Sequence, residues 1–405
     1  MSFNCVGKVT GSRKAHLSHG KQEGATMDHI DFQDKELSAL GLGCMRLPVI
    51  DGDDSRIDEA AAFAMIDEAL ERGINYFDTA WGYHGGNSEL VVGKALARHP
   101  RESFYLSTKF PGYDVSNFPH AAEIFERQLE KCQVDHFDFF LLHNVNESNI
   151  DAYLNPKYGT LEYFLKEKAA GRIGHLGFSV HGTYDIMMRF LEVYGPYMEF
   201  CQIELNYFDW EFQDAKAKAD ELNRRNIPIW VMEPLRGGQL ANLSPEDTAK
   251  LAALRPAETV PGWAFRYLQT IPGVTMVLSG MSTMEQLQAN IATYETCEPL
   301  TEDEISAVLA IAHGMAAKTT VPCTACHYCV KYCPMDLDIP TLLHLYNEAC
   351  MEGSGNFIAP MALSALEPGK GPEDCLGCGS CAAVCPQSID IPTHLAAFAE
   401  KMGRA

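Results

Sequence analysis

The sequence predicts an α/β chain: a TIM (β/α)8 barrel followed by a second, smaller, mainly helical iron-sulfur domain. Strand-like and helix-like segments alternate between residues 37 and 295, and eight such pairs in about 260 residues match a TIM barrel. Beyond residue 319 the alternation stops, and eight cysteines follow in two closely spaced runs. A length of 405 residues also suits one large domain plus a small one.

The barrel strands are predicted where short apolar runs end at polar or turn residues. The eight runs are Ala39 to Leu47, Asn75 to Ala80, Phe104 to Phe110, Asp138 to Asn144, His175 to Val180, Phe200 to Tyr207, Pro228 to Leu235 and Val274 to Gly280. Amphipathic segments lie between them, among them Asp58 to Arg72, Ser88 to Arg98, Ala121 to Cys132, Leu161 to Ala170, Gln213 to Asn226 and Thr283 to Tyr294. In such a barrel the active site lies at the carboxyl ends of the strands.

Composition restricts the class of partner. The formal net charge is −22, so the surface is expected to repel nucleic acid and anionic lipid. No apolar run approaches the roughly 20 residues that a membrane span needs. We therefore expect small molecules or other proteins as partners, with no nucleic acid and no membrane.

The first 27 residues are polar and basic, and they are expected to form a disordered tail. They lack the apolar stretch of a secretory signal. Fourteen cysteines in a chain without an export signal favour metal ligation in a reducing compartment over disulfides. The expected location is the cytoplasm.

Two cysteine runs share the form C-x-x-C-x-x-C-x-x-x-C-P. They comprise Cys323, Cys326, Cys329 and Cys333, and then Cys375, Cys378, Cys381 and Cys385. This spacing is typical of paired [4Fe–4S] clusters, in which the fourth cysteine of each run ligates the cluster of the other. Cys333 is thus predicted to join the second run's cluster, and Cys385 the first. Zinc is the alternative, but it gives no reason for the repeated Cys-Pro ending.

A duplication supports this pairing. Cys333 begins C-P-M-D-L-D-I-P-T, and Cys385 begins C-P-Q-S-I-D-I-P-T. In both copies the aspartate before Ile-Pro-Thr predicts a helix start, since proline is tolerated in the first helical turn. With its long insertion the segment resembles alpha-helical ferredoxins. We assign residues 301–318 to a connecting helix and residues 319–405 to a ferredoxin-like domain.

Four polar residues mark the mouth of the barrel. Asp78 ends the second predicted strand, and Tyr83 follows in its loop. Lys109 and His143 end the third and fourth predicted strands. In order and position these match the tetrad of the aldo-keto reductase family, which residues 28–300 resemble.

The resemblance implies a role for each of these groups. Tyr83 would be the acid that protonates a carbonyl oxygen, and His143 would orient that oxygen. Lys109 would favour the phenolate, and Asp78 would hold Lys109.

The resemblance also implies a nicotinamide site, with NADP or NAD as cofactor. The matching positions are Ser179, Gln202, Pro234, Leu235, Gly280, Gln286 and Asn290. Val180 stands where the family usually has asparagine, and Met232 where it usually has a stacking aromatic. The loop from Ser279 to Gln286 lacks the Lys or Arg that would pair with a 2′-phosphate, so the choice of nucleotide stays open.

These observations predict an oxidoreductase that reduces a small carbonyl compound, or oxidises an alcohol, and whose two [4Fe–4S] clusters connect it to one-electron transfer. A flavoprotein or other redox partner is expected, because a nicotinamide gives up two electrons as one hydride. One alternative is an electron-transfer protein whose barrel is a non-catalytic docking scaffold for a flavoprotein. Another is that the clusters only stabilise the last domain.

Overall fold

The computed structural model describes residues 27–323, 326–327, 329–351 and 358–404, without the side chains of residues 318 and 319. The chain forms two compact units, residues 27–235 with 249–305 and residues 236–248 with 306–404. The segment 236–248, which the sequence places in the barrel, thus groups with the second unit. Apart from Met27, the predicted disordered tail lies outside the described residues.

Eight parallel strands close into a barrel in the first unit, in the order β10-β3-β4-β5-β6-β7-β8-β9. The strands of this unit are β1 His29–Phe32, β2 Lys35–Ser38, β3 Leu40–Gly43, β4 Tyr76–Asp78, β5 Tyr105–Phe110, β6 Phe137–Val145, β7 Ile173–Val180, β8 Cys201–Glu204, β9 Ile229–Met232 and β10 Val274–Gly280. All eight barrel strands fall where the apolar runs predict them. The TIM barrel prediction is confirmed.

Helices alternate with these strands. They are α1 Glu59–Glu71, α2 Ser88–Leu96, α3 Ala121–Cys132, α4 Ile150–Leu154, α5 Thr160–Ala169, α6 Tyr184–Tyr194, α7 Asp209–Phe212, α8 Ala215–Arg224, α9 Pro245–Leu254, α10 Val260–Leu268, α11 Met284–Tyr294 and α12 Glu302–Thr319. None of the helices in the described ranges is long and apolar enough to cross a membrane.

The antiparallel hairpin β1–β2 closes the barrel at the amino ends of its strands. The Phe32 ring lies 5.0 Å from Trp230 and 5.7 Å from Phe139, and Leu37 is fully buried in the same cluster. Because these apolar side chains fill the amino end, the carboxyl end is left for chemistry.

The second unit contains α13 Ile339–Met351, α14 Ile358–Ser364 and α15 Ile391–Lys401. α13 and α15 begin alike, since Thr341 Oγ1 donates to Asp338 Oδ2 at 2.7 Å and Thr393 Oγ1 donates to Asp390 Oδ2 at 2.8 Å. The repeated D-I-P-T segments therefore start two equivalent helices. The mainly helical character predicted for this domain is confirmed.

Candidate active site and cluster cavities

Three of the four tetrad residues are joined through one ammonium group. Lys109 Nζ donates to Asp78 Oδ2 at 2.6 Å, to the Thr79 carbonyl oxygen at 2.7 Å and to Tyr83 Oη at 3.3 Å. The His143 ring lies edge-on to the Tyr83 ring, with centroids 6.1 Å apart. Asp78, Lys109 and His143 are buried. The structure thus brings together all four residues that the sequence singles out.

The strands place these side chains, and a buried histidine fixes the turn that carries Tyr83. β4, β5 and β6 are neighbours in the barrel, so Asp78, Lys109 and His143 meet at one rim. Tyr83 opens the 3₁₀ turn Tyr83–Gly86. His84 Nε2 accepts from the Leu47 amide at 3.2 Å, and Nδ1 donates to a carbonyl oxygen. Sequence reasoning missed this anchor.

Burial changes the expected state of Tyr83. Burial around its hydroxyl raises the pKa above the ordinary value, and the opposing effect of Lys109 is smaller. The expectation that Lys109 would favour a phenolate is thus outweighed in the resting site. Burial lowers the pKa of Lys109, but its attraction to Asp78 and Tyr83 leaves that pKa raised overall. At neutral pH the site therefore holds a neutral phenol beside an ammonium.

A buried polar network supports Lys109 from behind. Gln128 Nε2 donates to the Lys109 carbonyl oxygen at 2.9 Å and to Glu89 Oε1 at 2.7 Å. Glu89 Oε2 accepts from Lys131 Nζ at 2.6 Å. Buried hydrogen bonds of this kind restrict the backbone that they touch. α2 and α3, which carry these residues, look like ordinary amphipathic helices in the sequence, so no signal marked this role.

Ser179 and Gln202 lie opposite each other on β7 and β8. Ser179 Oγ accepts from the Asn144 amide at 2.8 Å and keeps its own proton for a further acceptor. Gln202 is buried, and its Oε1 has no hydrogen-bond partner among the described residues. An unsatisfied buried amide oxygen costs stability unless a ligand bonds to it. The pair therefore fits a carboxamide, which both donates and accepts.

The other predicted cofactor positions surround the same rim. Asn290 is buried and donates to Ser279 Oγ at 3.2 Å, while Gln286 Oε1 accepts from the Ser282 amide at 2.8 Å. Asn290 therefore braces the end of β10, and Gln286 braces the loop that follows it. The remaining three positions, which follow β9 and end β10, are a buried Pro234, a half-buried Leu235 and an exposed Gly280. Val180 is buried, and Met232 is half-buried at the end of β9.

Two cavities in the second unit bring the cysteines together in exchanged sets. One is lined by Cys333, Cys375, Cys378 and Cys381, and the other by Cys323, Cys326, Cys329 and Cys385. Each cavity thus takes three cysteines from one run and the fourth from the other, as the spacing predicts. Leu337 and Leu395 line the first, and Leu343 and Ile391 the second. Four soft thiolates in an apolar cavity suit an iron-sulfur cluster.

Comparison with known proteins is decisive for the first unit. The aldo/keto reductase family model matches residues 39–313, more than half of the chain. The chain belongs to the aldo/keto reductase family. A 4Fe-4S dicluster domain matches residues 322–389. The chain therefore combines an aldo/keto reductase domain with a 4Fe-4S dicluster domain.

Curated relatives and solved structures agree with this assignment. L-galactose dehydrogenase of Arabidopsis thaliana is 26% identical over 290 residues, 66% of this chain and 88% of the relative. Probable aldo-keto reductase 1 of Glycine max is 31% identical over 158 residues, 37% of this chain and 43% of that protein. The match thus spans less than half of the soybean protein, and it spans 47% of the Bacillus subtilis oxidoreductase YqkF.

The structural likeness is to the barrel. The holo form of the aldo-keto reductase AKR11C1 from Bacillus halodurans superposes with a TM-score of 0.57 at 24% identity, over 70% of this chain and 96% of that chain. A Klebsiella pneumoniae aldo-keto reductase in complex with NADPH gives 0.55 at 19% identity, over 71% and 95% of the two chains. At these identities the likeness shows the fold.

Arg46 is a further residue at the carboxyl-end rim of the barrel that sequence reasoning missed. Its carbonyl oxygen accepts from Ser282 Oγ at 2.9 Å, and a Cβ placed on Gly280 would lie 2.6 Å from Arg46 Cγ. The guanidinium forms no ion pair with any described residue. A cation thus lies beside the loop after β10, although the loop itself has none. Arg46 belongs to a distant segment that follows β3, so only the closed barrel reveals it.

His143 is expected to lower the stability of the folded protein in acid. Burial, with Lys109 and His181 nearby, holds the pKa of His143 well below its usual value, and neither ring nitrogen bonds to a described residue. Below pH about 6.5 the unfolded chain binds a proton here that the folded chain does not. The free energy of unfolding is therefore expected to fall by up to about 1.4 kcal/mol per pH unit below that point.

Urea titrations of the wild type and His143→Asn, at intervals from pH 7.5 to 5, measure this slope. The slope is expected to be shallower in the variant, because asparagine does not titrate. The same slope in both proteins would show that His143 is protonated in the folded state.

Proposed function

We propose that this protein reduces a small carbonyl compound, or oxidises the matching alcohol, with NADH or NADPH, and that two [4Fe–4S] clusters link it to one-electron transfer. The observation that carries the proposal is the contact of Lys109 Nζ with both Asp78 and Tyr83 Oη. The neutral His143 beside them has two ring nitrogens without a partner among the described residues. Together these groups form a proton donor, its stabilising cation and an orienting imidazole.

A reduced nicotinamide, when bound, would supply a hydride to the carbonyl carbon. Ser179 and Gln202 would hold its carboxamide, since one offers a hydroxyl donor and the other an unsatisfied oxygen. Arg46 would face the phosphates, because a guanidinium binds phosphate through several donors. The structure of the Klebsiella pneumoniae aldo-keto reductase is a complex with NADPH, and an Escherichia coli relative is an NADH-specific methylglyoxal reductase.

The chain's own residues manage the charge that builds on the substrate oxygen. Tyr83 Oη donates a proton to that oxygen, which completes the alcohol. The phenolate left on Tyr83 is stabilised by the Lys109 ammonium at 3.3 Å, and Asp78 keeps Lys109 charged and in place. His143 bonds the same oxygen and orients it.

The two cysteine-lined cavities would each hold one [4Fe–4S] cluster. Each cluster accepts a single electron, so a hydride cannot pass to it in one step. A flavoprotein or another redox protein that splits electron pairs would serve as partner. This link is the part of the proposal that separates the protein from a simple carbonyl reductase.

Anaerobic titration of the purified holoprotein with NADH and NADPH tests the proposal. We expect one nucleotide to bind with a Kd on the order of 1–100 µM and to support aldehyde reduction. Gln202→Leu should weaken that binding by roughly tenfold, because it removes the unsatisfied oxygen while keeping the size of the side chain. Asn223→Leu, which changes a half-buried amide on α8 that donates to the Pro272 carbonyl oxygen before β10, is the control and should bind nucleotide as the wild type does.

The visible band of the clusters reports the link. No bleaching is expected when nucleotide is added to the purified protein alone, because a hydride does not pass to a one-electron cluster in one step. Bleaching would show that electrons reach the clusters without a partner protein. Binding without any aldehyde turnover, or no binding of either nucleotide, would contradict the proposal.

Val180 and Met232 favour a second candidate, an electron-transfer protein whose barrel is a docking scaffold. Without an asparagine after Ser179 and an aromatic at the end of β9, the rim offers fewer contacts to a nicotinamide ring. This candidate predicts stable co-purification with a flavoprotein together with no nucleotide binding. The same titration separates the two.

A further inference from the structure

The loop after β6 carries a buried tyrosine that contacts the active site from outside the tetrad. Tyr153 lies on α4 and is 2% exposed. Its hydroxyl donates to the carbonyl oxygen of His143 at 2.8 Å. This bond fixes the backbone of the residue whose imidazole is to orient the substrate. Neither the sequence pattern nor the tetrad accounts for it.

The same phenol also supports the loop after β5. A Cβ placed on Gly112 would lie 1.9 Å from Tyr153 Oη and 2.4 Å from its Cζ. The Gly112 backbone therefore packs directly on the phenol, at a distance that no larger residue permits. Because Tyr113 follows Gly112 in the chain, this contact also constrains the position of the Tyr113 backbone.

Tyr113 forms a wall of the pocket. Its ring lies 5.5 Å from the His143 ring, and a Cβ placed on Gly82 would lie 2.5 Å from Tyr113 Oη. Tyr113 thus reaches from the β5 loop to the residue before Tyr83, while 37% of its surface stays exposed. A half-exposed aromatic ring between His143 and the Tyr83 loop is a surface on which a substrate group can stack.

Tyr153 is itself held in place from the far side. Tyr194 Oη donates to the Tyr153 carbonyl oxygen at 2.5 Å, and the Phe118 ring lies 4.9 Å from the Tyr153 ring. Phe190 of α6 packs on it at 5.7 Å. A side chain enclosed in this way has little rotamer freedom. It can therefore transmit a fixed geometry to the residues it touches.

We propose that Tyr153 is a positioning residue that holds His143 and Tyr113 at a fixed separation and so sets which carbonyl substrates fit between them. This inference rests on the proposed function, because it assigns the carbonyl group to the space beside His143 and Tyr83. The substrate class it implies is a carbonyl compound with a flat group beside the carbonyl, which stacks on Tyr113. Small aliphatic aldehydes use only the His143 and Tyr83 contacts.

Tyr153→Phe removes the hydroxyl alone and is compared with Tyr294→Phe, which removes a buried hydroxyl on α11 that has no hydrogen-bond partner among the described residues. With saturating nucleotide, Tyr153→Phe is expected to raise the KM for benzaldehyde by roughly tenfold and that for propanal by only about twofold. The Kd of the nucleotide should stay at the wild-type value. Tyr294→Phe should keep both KM values, because its hydroxyl bonds to none of these residues.

A readout that needs no turnover accompanies the kinetics. With 3-fluorotyrosine incorporated at position 113, the ¹⁹F resonance is expected to shift or broaden in Tyr153→Phe and to match the wild type in Tyr294→Phe. If the wild type reduces no carbonyl at all, the proposed function fails, while the ¹⁹F comparison still decides the positioning role. Identical KM ratios and identical ¹⁹F spectra in the two variants would overturn the inference.

Gly112→Ala approaches the same contact from the loop and covers the case in which Tyr153→Phe does not fold. Its added methyl group would strike the phenol, so we expect the same selective rise in the KM for benzaldehyde. An unchanged KM ratio together with an unchanged ¹⁹F spectrum for Gly112→Ala would also overturn the inference.

Discussion

Replacing Tyr83 with phenylalanine is expected to lower kcat for carbonyl reduction by roughly 10²- to 10⁴-fold, the contribution of a well-placed general acid. The variant keeps the ring and loses only the hydroxyl that Lys109 contacts at 3.3 Å. Nucleotide binding should change by less than about twofold, because the loss affects only the transition state. Steady-state kinetics at saturating aldehyde and a separate nucleotide titration measure the two effects.

Tyr105→Phe is the matched control for this experiment. Tyr105 begins β5, at the opposite end of the strand from Lys109, and makes no contact with the tetrad. It should leave kcat unchanged. If Tyr83→Phe retained activity within about threefold of the wild type, the phenol would not be the acid.

The pH dependence of reduction follows from the same hydroxyl. Burial raises the pKa of Tyr83 above its ordinary value of about 10. The phenol is the active form, so activity is expected to hold through neutral pH and to fall only as the pH rises toward that raised pKa. The sequence-based expectation that Lys109 favours the phenolate would place this fall at a lower pH.

The tetrad could be predicted from the sequence because each member ends a strand or follows one closely. In a barrel of parallel strands all such positions meet at one rim. The order of the strands was therefore enough to predict that Asp78, Lys109 and His143 lie together. The state of Tyr83 could not be predicted in the same way. It depends on the balance between burial and the Lys109 charge, which is set by packing from several distant segments.

Other features were hidden because they depend on distant contacts. The β1–β2 hairpin consists of two four-residue strands whose alternation is too short to stand out. Arg46 reaches the loop after β10 only once β3 pairs with β10. In the sequence Tyr153 is one aromatic residue among several in a predicted loop. Its hydrogen bond to a backbone carbonyl leaves no pattern in the sequence.

The cysteine pairing gives the other large expected effect. Cys333→Ala is expected to remove the [4Fe–4S] cluster of the second run and to leave that of the first, so that about half of the [4Fe–4S] content remains. The reason is that Cys333 lines the cavity that contains Cys375, Cys378 and Cys381. Mössbauer quantification of [4Fe–4S] per chain, after anaerobic reconstitution, measures this. Cys350→Ala, which lies on α13 and lines neither cavity, should retain the full content.

Double variants turn this into a test of connectivity. Cys333→Ala with Cys375→Ala affects one cavity twice, so about half of the [4Fe–4S] content should remain. Cys333→Ala with Cys323→Ala affects both cavities, so almost none should remain. If each run instead held its own cluster, these two outcomes would be reversed.

The duplicated backbone explains why the exchanged pairing is expected. Cys333 and Cys385 each close a short 3₁₀ turn, Val330–Tyr332 in one copy and Ala382–Val384 in the other, and each is followed within six residues by the start of a helix. α13 and α15 pack against each other around a shared apolar core that includes Leu342 and Leu395. Each fourth cysteine thus leaves its own run and enters the core that the other run borders. Removing Cys333 should therefore damage a cluster whose other three cysteines lie more than forty residues further along the chain.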